Sequence, residues 1–405
     1  MFKAKSKQTA GREGRNRRLP ADAAPPQKPP KRFKRLDTVF VIIILALLTF
    51  GVIMVFSSSY PAALHKTGNS FHFISKHVIF VVVGLIAMFV ASFVDYHVFR
   101  RFAIPIFIVG ILLLILVLIP GIGSDLGTFA RRWIVIGSES WGINFQPSEI
   151  MKFAIIIMFA HLAALNYKRM GTFRYGVVPF AVCLLITGGL MMMEPHLSGT
   201  ILIFGIGFIM MFVGGTKIRW FAGVGGAAAC GVALVALFKA SYIVDRLKFW
   251  LDPFAPESIR DGTWQTVQSL VAIGSGGIMG RGIGNSRQKY LYIPEPYNDF
   301  IFAIICEELG LIGALMVIVL FVLFALRGFS IASKAPDKFG FMLAVGLTAQ
   351  ICIQAVLNIA VVTNTVPNTG ISLPFFSYGG TALLMQLGEM GVLLNISRQS
   401  MIEKT

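Results

Sequence analysis

The stretch Arg281–Gly310 reads RGIGNSRQKYLYIPEPYNDFIFAIICEELG and sets three cations, Arg281, Arg287 and Lys289, ahead of Asp299 and an apolar run. A carboxylate at the edge of such a run can accept a proton as a general base. Arg and Lys before it suit phosphate oxygens. Charge beside a bilayer is costly and usually has a task. Plainer readings stand beside these. Asp299 also fits a helix N-cap or a first-turn acid, and the cations fit lipid headgroups. If a helix starts at Asp299, Glu307 lies about 80° around its axis and can flank the same site, while Glu308 faces another helix. A Glu-Glu pair is equally a solvated patch.

A second region, ARRWIVIGSESWGINFQPSEIMKF, ends in a helix start, with Pro147 suited to the first position and Glu149 to the first turn. Lys152 is harder to explain as structure. The helix dipole disfavours a cation there, and it enters an apolar run. It lies three residues from Glu149, so the two can pair on one face, and such pairs inside a bundle mark functional sites. His161 reads as an interfacial or core histidine. In a third region, NTVPNTGISLPFFSYGG, Ser377 and Tyr378 can line a groove, while Phe375 and Phe376 read as an interfacial aromatic belt.

The elements that must hold these groups are membrane helices. Hydrophobic residues make up 56% of the 405-residue chain and charged ones 14%, which excludes an ordinary soluble domain. Residues 1–38 carry twelve Lys or Arg against Glu13, Asp22 and Asp37, so +9 of the net +17 sits in one tail. The tail, 1–37, reads as a disordered cytoplasmic segment that sets topology and touches anionic lipid. It has no aromatic interleaving that would point to nucleic acid. Cys183, Cys230, Cys306 and Cys352 have neither zinc nor disulfide spacing and read as small hydrophobes.

Apolar runs of spanning length occur at about 38–57, 73–94, 102–120, 148–165, 176–193, 198–214, 218–238, 303–326, 340–362 and 379–396. The fold class expected is therefore all-α, a polytopic bundle of about ten spans over 38–398, followed by a short end, 399–405. Cations cluster in alternate gaps, at Arg100/Arg101, Lys168/Arg169/Arg174, Lys217/Arg219 and Arg327/Lys334/Lys338, which places both termini inside. Two long gaps, about 121–147 and 239–302, then face out. In the larger one, between the seventh and eighth spans, Trp264, Val267, Leu270 and Val271 predict an amphipathic helix on the membrane surface. The glycines from Gly274 to Gly284 follow no strand, so they predict tight turns or close backbone approach rather than a dinucleotide loop. No internal repeat of the transporter kind is evident.

Taken together, these segments resemble the SEDS family (shape, elongation, division and sporulation), polytopic partners of class B penicillin-binding proteins. The resemblance covers nearly all of 38–398. It rests on RRW (Arg131, Arg132, Trp133), QPSEIMK, LPFFSYGG and SRQKYLYIPEPYNDFIFAIICEELG. The last of these and the closing LLNISR look like the FtsW/SpoVE branch. One departure is His196, standing where many members have Asp, with one extra residue before Gly199-Thr200.

The resemblance implies a peptidoglycan glycosyltransferase of the bacterial cytoplasmic membrane, using lipid II and working with a class B penicillin-binding protein and other division proteins. Asp299 matches the family's essential acid, and Glu149 and Lys152 its pair. Arg131, Arg132, Arg287, Lys289, Glu307 and Ser377 are the further candidates for the substrate cavity. An α-linked donor and a β-linked product need one inverting displacement, hence a base and no enzyme nucleophile. The diphosphate leaves without protonation, helped by cations or a divalent metal, Mg or Mn. A lipid II flippase and a non-catalytic division scaffold are the alternatives. A flippase would carry its charges near the bilayer midplane.

The topology has a direct check. Cysteines introduced singly across 240–298 should label from outside intact spheroplasts. Labelling only from the cytoplasmic side would invert the site as well.

Overall fold

In the computed structural model, the residues described are 36–124, 131–136, 143–194, 196–223, 250–255 and 263–400. All lie in one compact unit, Lys34–Thr405. The principal helices are α1 (Thr38–Thr67), α2 (His72–Ala91), α3 (Ala103–Leu118), α4 (Pro147–Leu165), α5 (Val178–Met193), α6 (Leu197–Val213), α7 (Trp264–Gly276), α8 (Ile301–Ser333), α9 (Lys338–Val362) and α10 (Gly380–Ser400). Six spans among the described residues are long and apolar enough to cross a membrane, and α3 and α6 are shorter apolar helices. α10 is long enough but buries Gln386, Glu389, Asn395 and Arg398. The outward residues of α2, such as Ile79, Val82 and Ile86, and of α8, such as Leu315, Val319 and Leu326, are exposed hydrocarbon. The chain is an all-α, multi-pass membrane protein. The expected spans fall on α1–α6 and α8–α10, except that of 218–238, which lies largely outside the described residues together with most of the basic tail.

Asp37 starts α1 by accepting from the Phe40 N–H, and its carboxylate also takes the Arg327 guanidinium at 2.8 Å. This α1 runs three turns past the expected end. Ser57, Ser58 and Ser59 are buried there rather than ending the helix, and the Ser57 hydroxyl finds a partner on α8. Gly68, at φ 70°, closes it.

The helix α8 is broken. Gly310 has φ 65° and ψ −160°, a region almost reserved for glycine, and splits the helix into two. The segment after α7 fills the break with its own main chain. Arg281 and Gly282 donate to the Glu307 and Glu308 carbonyls at 3.0 and 2.9 Å, and Leu311 and Ile312 donate to Gly277 and Ile278 at 2.9 and 3.3 Å. Four main-chain groups at the break are thereby closed by protein instead of facing lipid. A Cβ on Gly310 would lie 2.4 Å from both the Gly280 nitrogen and the Ile278 oxygen. The glycine-rich segment thus serves close backbone approach, to the helix itself.

The predicted amphipathic helix exists as α7, but it does not simply lie on the membrane surface. It buries the small residues Ser269, Ala272 and Gly276, and Ser269 donates to the Val362 carbonyl of α9 at 2.7 Å. Its packing on α8 depends on small side chains, and hydrophobic periodicity does not register those.

The 121–147 region holds a small antiparallel sheet that the helical reading missed. Its strands are β1 (Gly123–Ser124), β2 (Trp133–Ile136) and β3 (Ile143–Phe145), in the order β1-β2-β3. The β-branched run in β2 is the local reason. The sheet leads into α4 and is tied to α10 by Thr381, whose hydroxyl donates to the Asn144 carbonyl at 3.1 Å. The 364–379 segment turns back into the bundle. Phe375 and Phe376 are 1% and 0% exposed and pack on Phe324, Phe50 and Phe321. They are core, not the expected interfacial belt.

Gly310→Ala should cost about 2–6 kcal/mol, combining a disfavoured backbone region with overpacking. Thermal unfolding of the purified protein should show it, with Ala at the neighbouring exposed Leu311 as the mild control.

Candidate active site

Asp299 sits just ahead of α8, and three consecutive carbonyls hold it in place. The Tyr378 N–H donates to Tyr297 at 2.8 Å, the Ser377 hydroxyl to Asn298 at 2.7 Å, and the Asn358 amide to Asp299 at 2.7 Å. Ser377 also accepts from the Leu373 N–H at 2.7 Å. Below them, Phe73 stacks on Tyr297 with Tyr378 edge-on. The backbone is therefore fixed by side chains from α9 and the inward-turning 364–379 segment.

The carboxylate is left over. The N-cap of α8 is Phe300, with no side-chain cap bond, so Asp299 does not do the capping that its position suggested. Among the described residues its oxygens have no hydrogen-bond donor. They approach Gly370, where φ is +66° and a Cβ would lie 3.2 Å from Oδ2. The group is partly open to solvent but ringed by protein. That burial pushes its pKa up to about 6, Glu295 adds to the rise, and Arg132 opposes it.

Arg132 precedes β2, and its N–H donates to the Ser124 carbonyl at 3.3 Å. Its Nε donates to the Glu194 carbonyl at 3.4 Å, and both Glu194 and Asp299 lie in its field. Glu194 and His196 form the turn between α5 and α6. Glu194 is 1% exposed, with no partner among the described residues for either carboxylate oxygen, and burial carries its pKa to about 8 against the pull of Arg132. Burial lowers His196 to about 3, helped by Arg132 and Lys152.

Deeper in the bundle, the predicted Glu149–Lys152 pair is formed at 2.8 Å and is buried. Lys152 also donates to Gln354 at 3.3 Å, and Gln354 donates to the Ser372 carbonyl at 3.1 Å. Glu389 of α10 accepts from Gln350 at 2.8 Å and lies in the field of Lys152 and Glu149. Gln350, Gln354 and Asn358 stand four residues apart on α9, a polar stripe on an apolar helix. That stripe was the readable signal for residues the sequence analysis passed over.

Other candidates sit elsewhere. Lys289, expected near a diphosphate, is fully buried and paired with Glu308 at 2.8 Å, over the Tyr60 ring. Glu307, expected to flank Asp299, instead accepts from Ser286 Oγ at 2.5 Å and from the Arg287 N–H at 2.9 Å. Glu308 takes the Ser57 hydroxyl at 2.6 Å, so it does face another helix. The two acids and Lys289 clamp the 281–289 loop to the broken helix. Neither acid is a solvated patch. Ser377 positions the backbone rather than lining a groove. Arg131 and the side chain of Arg287 are exposed. Among the described residues no three His, Cys, Asp or Glu come together as metal ligands.

Residues 37–402 match the family model FtsW/RodA/SpoVE, described as cell cycle protein. The chain belongs to this family. It is 42% identical over 365 residues to stage V sporulation protein E of Bacillus subtilis, covering 90% of this chain and 97% of that protein. It is 38% identical to a probable peptidoglycan glycosyltransferase FtsW of Trichlorobacter lovleyi, covering 91% and 94%. Two solved structures share the fold. One, described as a peptidoglycan synthase complex that coordinates polymerization and crosslinking, has a TM-score of 0.73 at 24% identity and covers 91% of this chain and 99% of that one. The rod shape determining protein RodA of Thermus thermophilus has a TM-score of 0.64 at 23% identity and covers 91% and 98%.

The buried pair in this FtsW/RodA/SpoVE chain can be tested by a cycle. Lys152→Met strands Glu149 and should cost about 3–5 kcal/mol. Adding Glu149→Gln should recover most of that in thermal unfolding, because no buried charge then lacks its partner. Additive losses would show that the two side chains do not act as a pair.

Proposed function

We propose that this chain is a peptidoglycan glycosyltransferase that polymerises lipid II into glycan strands at the outer face of the cytoplasmic membrane, in division or sporulation. Asp299 is the general base. The carrying observation is a carboxylate without donors of its own, on a backbone pinned at three successive carbonyls, beside Arg132. The names of the FtsW relatives support the reaction class, and that of the sporulation relative supports the setting.

In the transfer, the acceptor sugar hydroxyl attacks the anomeric carbon of the donor. Its oxygen bonds to that carbon as Asp299 takes the proton. The bond from the anomeric carbon to the diphosphate breaks, and its electron pair leaves on the undecaprenyl diphosphate. One displacement inverts the centre, so no covalent enzyme intermediate is needed. A carboxylate with a pKa of about 6 is mostly ionised at neutral pH yet basic enough to take the proton. Arg132 is the described cation best placed to meet the diphosphate; Lys289 is held in the clamp. The catalytic partner is a class B penicillin-binding protein, and both termini are cytoplasmic.

Asp299→Asn keeps the side-chain shape and removes the base. Polymerisation of purified lipid II, with the partner present and folding checked, should fall about 10²–10⁴-fold. The wild-type rate should fall as pH drops through about 6, because protonation consumes the base. Near-normal polymer from the Asn variant would return the flippase or scaffold reading.

A further inference from the structure

The Glu194 carboxylate has no role in the fold that the structure reveals. It is buried, both oxygens lack hydrogen-bond partners among the described residues, and its own main-chain carbonyl is what Arg132 touches. A buried carboxylate without donors is costly when charged. Natural cores seldom keep such a group unless something uses it. The charge acting on it directly is that of Arg132, ahead of β2. Arg132 also lies in the field of Asp299, ahead of α8, and His196, at the start of α6, lies in the fields of Arg132 and of Lys152, which pairs with Glu149 on α4. His196 is buried, its Nδ1 lacks a partner, and it is held neutral, so it supplies no counter-charge. Among the described residues, Arg132 is thus the cation whose field reaches both Glu194 and Asp299.

We propose that Glu194 is a positioning residue for glycosyl transfer: uncharged, it leaves the Arg132 guanidinium directed to Asp299 and the incoming diphosphate, and once ionised it draws that guanidinium to itself. The inference rests on the glycosyltransferase reading and adds a residue to it. The direction follows from charge. With Glu194 neutral, Asp299 is the one of these two carboxylates that carries charge against Arg132. With Glu194 ionised the same cluster is one charge more negative, and the diphosphate is repelled. Because burial carries Glu194 to about 8, the change falls on the alkaline side of neutrality, well clear of the acid limb set by Asp299 near about 6.

The test is the pH profile of lipid II polymerisation by the full chain with its partner, for wild type, Glu194→Gln and Asp299→Asn. Wild type should rise through about pH 6 and fall through about pH 8. Glu194→Gln, permanently neutral, should keep the acid limb and lose the alkaline one, exceeding wild type about tenfold at pH 9. A wild type with no alkaline fall, or a Gln variant that falls with it, overturns the proposal. Direct binding of undecaprenyl diphosphate to wild type gives a second measure that needs no variant. Affinity falling through about pH 8 is expected, and flat affinity overturns the inference. Should wild type make no polymer at any pH, the function reading fails, and this binding curve still decides the role of Glu194. An active wild type with an inactive Asn variant and an unchanged alkaline limb defeats this inference alone.

Discussion

Within a bilayer the main chain has no water to fall back on, so any interruption of a helix must be closed by other protein groups. The site depends on two such closures. At Gly310 the helix α8 opens, and the 277–282 segment supplies donors to two carbonyls and acceptors to two N–H groups. Ahead of α8, the carbonyls of Tyr297, Asn298 and Asp299 are closed by Tyr378, Ser377 and Asn358. The first closure fixes the first turns of α8 against the 277–282 segment, and the second fixes the chain entering it. Asp299 belongs to the second, so its backbone has little freedom while its carboxylate stays unengaged. A group held in that way costs little reorganisation when it acts.

The clamp explains why so much charge surrounds one helix start. Glu307 and Glu308 are almost fully buried, and each is surrounded by donors: Ser286 and main-chain N–H groups on one, Ser57 and Lys289 on the other. These are the conditions under which buried charge is tolerated, since breaking one partner would strand the other. The 281–289 loop is thereby locked to α8 through both main chain and side chains. Tyr60 and Tyr290 share a hydrogen bond across the same junction, tying in α1.

Much of this was legible in the sequence. Apolar runs gave the spans, because a bilayer imposes length and polarity directly. The three-residue spacing of Glu149 and Lys152 gave their pair, because helical geometry fixes which residues meet. What was not legible depended on tertiary contact. Lys289 and Arg287 look alike in sequence, yet one is sealed against Glu308 and the other is exposed. Phe375 and Phe376 follow a proline in a segment between two spans, and nothing local reveals that the chain turns into the bundle there. The helix α7 packs through Ser269 and Gly276 as well as Val267 and Ala272, and the first two carry no hydrophobic signal. Asn358 and Gln354 were within reach, since amides spaced by four on an apolar helix should have a reason to be there. Glu194 was hidden by its motif, where the unusual His196 drew the attention.

Charge balance separates the structural acids from the functional ones. In the clamp, two carboxylates meet Lys289 and, at 3.9 Å, Arg281, together with a full set of neutral donors. Around the candidate site the described residues offer less. Glu149 and Glu389 share Lys152, and Asp299 and Glu194 share Arg132. Each of these clusters holds two carboxylates against one cation, in surroundings that penalise unpaired charge. Such an arrangement is a poor way to stabilise a fold, because apolar residues of the same volume would serve better. It is a serviceable way to keep protons mobile and a cation divided between two claims. Polymerising a diphosphate-linked sugar needs both properties at one surface: a carboxylate to receive a proton, and a cation to meet the departing diphosphate. The clamp is balanced and fixed so that the unbalanced groups beside it can change state without moving the backbone that carries them.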